Sequence, residues 1–136
     1  MLQQDYLMRM IMQLIQGIRK SMRRAVDEKD PEAAADMLEA TVGEATELDG
    51  AVLLSLSPES IASVVQISGT EPRVVEYICR TLMLEADYLR DAGKAEKAAL
   101  REQQARALGD AYGVDLSGLT LTDEEFEEFF EQTAVR

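Results

Sequence analysis

Apolar residues recur along this chain at spacings of three and four, and the breaks between the runs carry helix-start chemistry. Tyr6, Leu7, Ile11, Leu14, Ile15, Ile18, Met22, Ala25 and Val26 fall on one stripe, with Arg9, Gln13, Gln16, Lys20 and Arg23 opposite. That pattern predicts a first amphipathic helix over about 4–28. Asp30-Pro31-Glu32 is the next start: Asp30 can cap, Pro31 loses nothing at the first helical position, and Glu32 sits at the positive end of the dipole. The second helix then runs to the Asp49-Gly50 pair, close enough to the first to form an antiparallel hairpin.

A short apolar stretch, 51–56, leads to Ser57-Pro58-Glu59, which repeats the cap, proline, acid pattern and opens a helix through about Ser68, closed by Gly69. Ile61, Val64, Val65 and Ile67 could also be read as a strand, but their spacing and the cap agree on helix. Two long helices follow, about 71–92 and 94–112, separated by Gly93 and again close enough to pack as a hairpin. Thr122 and Glu125 form a capping box for a last helix over about 123–134, whose apolar face is Phe126, Phe129, Phe130 and Thr133. The fold class expected is therefore all-α, about six helices in antiparallel hairpins within one domain of 136 residues.

The segment Ala86-Asp87-Tyr88-Leu89-Arg90-Asp91-Ala92-Gly93-Lys94-Ala95-Glu96-Lys97-Ala98 resembles the centre of a tetratricopeptide repeat. There a Tyr-bearing helix ends at a glycine, an alanine follows five residues later, and another falls seven further on, as Gly93, Ala98 and Ala105 do here. The chain departs from that pattern before Glu85, near Glu102 and at the closing proline, and no 34-residue period is established. The resemblance implies helical-hairpin packing and a protein-binding or scaffold role. The opening Gln4-Asp5-Tyr6-Leu7-Met8-Arg9-Met10-Ile11 is similar to the start of an uncharacterised family of small all-helical bacterial proteins, which implies no activity.

Composition narrows the function. The net charge of −12 argues against general nucleic-acid binding, which needs clustered cations. Residues 1–26 nevertheless hold five cations against Asp5, so the first helix is basic and the remainder strongly acidic. With no histidine, Ser-His and Cys-His nucleophiles and Glu-x-x-His metal pairs are excluded, and the lone Cys79 reads as a small buried hydrophobe. Glu44 with Glu47, or Glu85 with Asp87 and Asp91, are the carboxylate groupings a metal-dependent enzyme could use, although solvated helix faces account for them equally. No catalytic, cofactor or metal site is assigned. The start of the chain lacks a signal-peptide pattern and no apolar run reaches membrane-spanning length, so a cytoplasmic location is expected.

Five of the seven methionines lie at 1, 8, 10, 12 and 22. Met8 and Met12 flank one side of the apolar stripe and Met10 the other, widening it beyond what one neighbour covers. The sequence thus reads as a non-enzymatic protein-interaction or scaffold protein that self-associates as a homo-oligomer. Its expected interface residues are Met8, Met10 and Met12, which could instead fill gaps in a helix buried on most sides, with Phe126, Phe129 and Phe130 on an acidic tail that either packs on its own core or docks across Arg19, Lys20, Arg23 and Arg24, in cis or on another subunit. A carboxylate-based metal enzyme and peripheral membrane association through the basic first helix stay open as alternatives.

Overall fold

The structure, a computed structural model, describes residues 2–116, with side chains from residue 5 onward. It is all-α: α1 (Leu2–Val26), α2 (Pro31–Thr46), α3 (Gly50–Leu53), α4 (Pro58–Ser68), α5 (Pro72–Asp91) and α6 (Ala95–Tyr112), with no strand among the described residues. The expected helix at 123–134, with Phe126, Phe129 and Phe130 and their docking on the basic end of α1, lies outside the described residues.

The helix starts follow local chemistry. Asp30 and Ser57 accept from the backbone N–H of Ala33 and Ser60, and prolines stand at the first positions of α2, α4 and α5. Gly69 and Gly93 close α4 and the α5–α6 turn with positive φ, the conformation glycine tolerates best. One boundary differs from the sequence reading. α2 ends at Thr46 because Glu47, not a glycine, takes the left-handed conformation (φ 59°), and Asp49 caps the extra short helix α3 by accepting from Ala51 and Val52. The apolar stretch after Asp49 is therefore partly helical.

α1 pairs with α2, and α5 with α6, as antiparallel hairpins; α5 also packs on α1 and α2, and α4 covers α6. The pairing order shows the sense: Tyr6 meets Glu47 while Gly17 meets Thr41, and Cys79 meets Ala105 while Arg90 meets Glu102. Ile11, Leu14, Ile15 and Ile18 of α1 interlock with Leu38 and Val42 of α2 and with Val75, Ile78 and Leu82 of α5 in one core. Each such side chain contributes about 1.5–3 kcal/mol on burial. Ala98 and Ala105 let α6 approach closely.

The α2–α3 corner has no room for a side chain. A Cβ at Gly50 would stand 2.3 Å from the Glu39 carbonyl oxygen, a backbone atom that cannot turn aside. Gly50→Ala is expected to cost about 1–3 kcal/mol, read as a lower urea midpoint at unchanged slope.

Candidate functional site

Four helix ends meet around an open cleft of about 500 Å³. The first turns of α1 supply Tyr6, Leu7 and Met10, the end of α2 supplies Ala45, Thr46 and Glu47, and the α4–α5 turn supplies Ser68, Gly69, Thr70, Glu71 and Val74. The buried members Met10, Ala45, Thr46 and Val74 form the floor, mostly apolar, with Leu7 half-buried beside them. Tyr6, Glu47, Ser68 and Glu71 are exposed and make the rim. The Tyr6 hydroxyl donates to Glu47 Oε1 at 2.8 Å, bridging α1 and α2 across one wall, and this bond raises its pKa above the ordinary tyrosine value. On the opposite wall the Ser68 and Thr70 hydroxyls lie 2.8 Å apart. A volume of this size with an apolar floor and a few polar groups has the form of a ligand-binding cleft.

A second polar grouping lies in the core. Arg101 of α6 donates through Nε to Glu85 Oε2 of α5 at 2.6 Å and through Nη1 to the Leu54 carbonyl at 2.8 Å. Its Nη2 stands 3.6 Å from Glu39 Oε2 of α2. Gln104 accepts from Arg101 at 3.1 Å and donates to the Leu54 and Leu56 carbonyls at 3.0 and 2.8 Å. These bonds supply donors to carbonyls at the end of α3 and in the connector beyond it, which a four-residue helix cannot satisfy internally. Glu85 has no solvent exposure, and its Oε1 lacks a hydrogen-bond partner. Burial outweighs the adjacent Arg101 and pushes the Glu85 carboxyl up to about 7. The group is sealed from substrate-sized molecules, so its role is to lock four elements together.

In comparisons with protein-family models, characterised proteins and solved structures, nothing matches this chain.

The residues expected to form an interface are placed unequally. Met10 keeps 7% of its surface exposed and belongs to the core and the cleft floor, so it adds little to an outer apolar ridge. Its position beside α2 explains this, since the α1–α2 contact lies on that side of the stripe. Met8 and Met12 are half-buried. Arg9, Gln13, Gln16, Lys20 and Arg23 form the exposed face of α1, as their spacing implied. In the grouping of Glu85 with Asp87 and Asp91, Glu85 points into the core while Asp87 and Asp91 are exposed, and Asp87 pairs with Arg90 at 3.1 Å. Among the described residues, no three His, Cys, Asp or Glu side chains could hold a metal ion. No described helix is long and apolar enough to cross a membrane.

Cys79 is buried, donates weakly to the Ala105 carbonyl at 3.6 Å, and has its thiol pushed up to about 12 by burial. A thiol reagent at pH 8 is expected to leave the native chain unlabelled and to label it fully in denaturant. Rapid labelling of the native chain would contradict this packing.

Proposed function

We propose that this chain is a non-enzymatic protein-interaction module that receives a partner segment in the cleft between α1, the end of α2 and the α4–α5 turn. The observation that supports it is the cleft's composition: an apolar floor left open at a helix junction, ringed by hydroxyls and carboxylates. Two exposed apolar side chains flank the opening in sequence, Tyr6 on the rim and Ile67 next to Ser68. One leucine-sized side chain seated on the floor would contribute about 1.5–3 kcal/mol, against the several kcal/mol lost on association. The partner must therefore extend along the rim as well as into the cleft.

A random-peptide display selection on the intact chain alone tests the reading, the selected peptides then being measured on the natural chain and on Thr70→Trp. Thr70 lines the cleft at the half-buried α4–α5 turn, so an indole there is expected to obstruct it from one wall. Selected peptides are expected to bind the natural chain about tenfold or more tighter than the variant, the effect of losing a central apolar contact. Peptides that bind both chains equally would place recognition elsewhere and defeat the proposal.

A further inference from the structure

The charge at the cleft specifies its partner more narrowly. Glu47 and Glu71 stand on different walls, and among the described residues neither Lys nor Arg lines the cavity. Four helix ends also border it: the carbonyl ends of α2 beside Glu47 and of α4 at Ser68, and the N–H ends of α5 beside Glu71 and of α1. These carry partial charges of roughly −0.5 and +0.5, so they largely offset each other and the two carboxylates set the sign. Neither carboxylate is used up by the fold. Glu71 makes no capping bond to α5, and Tyr6 occupies only one oxygen of Glu47.

We infer that the cleft takes a lysine or arginine side chain carried on an apolar segment of a partner protein, the cation lying between Glu47 and Glu71 and an adjacent apolar side chain resting on Leu7, Met10 and Val74. This rests on the cleft being the binding site. The flexible apolar stem of lysine or arginine suits such a surface, since it covers hydrophobic floor while its charged end stays at the wet rim. Because the rim is exposed, its electrostatic contribution is modest and falls with salt.

Fluorescence anisotropy with a dye-labelled, end-blocked hexapeptide of alternating leucine and lysine tests the assignment, beside the same peptide with glutamine in place of lysine. The lysine peptide is expected to bind the natural chain roughly fivefold tighter than the glutamine peptide at low salt, the size of two exposed ion pairs. That preference should vanish in the Glu47→Gln/Glu71→Gln variant, in which the Tyr6 bond can persist to the amide oxygen. Both peptides should weaken on Thr70→Trp. Equal affinity of the two peptides, both lost on Thr70→Trp, would overturn the cation assignment and leave the cleft as the site. A lysine peptide that binds the natural chain and the double variant alike reports general attraction to an acidic surface and also overturns the assignment. Binding indifferent to Thr70→Trp, or no binding of either peptide, overturns assignment and site together.

Discussion

Arg101→Met is expected to lower the unfolding free energy by about 3–5 kcal/mol, a large share of the 5–15 kcal/mol typical of a domain. Methionine retains most of the arginine stem, so packing loss is small and the effect comes from the partners left behind. Glu85 would lose its only charge-assisted bond, the 2.6 Å contact with Nε, leaving a buried carboxyl without partners whose pKa rises further once Arg101 no longer lowers it. The Leu54 carbonyl would lose one of its two donors, and Glu39 its nearest cation. Urea unfolding followed by circular dichroism measures the loss. The same experiment on Glu85→Met/Arg101→Met should recover most of it, because removing both charges also removes the desolvation cost. A double variant no more stable than Arg101→Met alone would mean that Arg101 acts mainly through the Leu54 carbonyl.

Stability should also fall as pH rises from about 4.5 to 7. The Glu85 carboxyl titrates at its ordinary 4.5 when unfolded but at about 7 in the folded chain, because burial penalises its charge. Between those values the folded chain binds the additional proton, so raising the pH favours unfolding. Stability from this group is fully present below 4.5 and lost once pH passes about 7, a change on the order of 3 kcal/mol at 1.36 kcal/mol per pH unit. The groups facing Glu85 are Arg101 and Lys97, which favour its charge, and Glu39, which opposes it. Mutual repulsion in a chain of net charge −12 also grows with pH, so the natural chain should be compared with Glu85→Gln. The difference in urea midpoints between pH 5 and pH 8 is expected to shrink sharply in the variant. An equal difference in both chains would show that repulsion alone sets the slope.

Helix positions were legible because their causes are local. Asp30-Pro31, Ser57-Pro58, Pro72, Gly69 and Gly93 act within a turn of where they stand, and the three-and-four spacing of α1 marks the face that the fold buries. α3 was not legible as a helix. Its four residues are too few to show a period, and Asp49, which caps it, reads equally well as the end of the preceding helix. The buried polar network did leave a trace. Glu85 falls in step with Ile78, Leu82 and Leu89, and Arg101 with Ala98, Ala105 and Leu108, so charged residues occupied core positions of two facing helices. Grouping Glu85 with Asp87 and Asp91 as neighbours in sequence obscured that phase. The cleft left no such mark, since its walls come from segments some 40 and 25 residues apart that only tertiary packing brings together.

The most direct test of the cleft as the binding site is a ¹H–¹⁵N correlation spectrum of the isotope-labelled chain, recorded during titration with the tightest peptide from the display selection. Saturable shifts gathered at Leu7, Met10, Ala45, Thr70 and Val74, with the α5–α6 hairpin around Glu85 and Arg101 unmoved, are the expected result. Shifts centred instead on Met8 and Met12, or spread along the exposed Arg9–Arg23 face of α1, would contradict it.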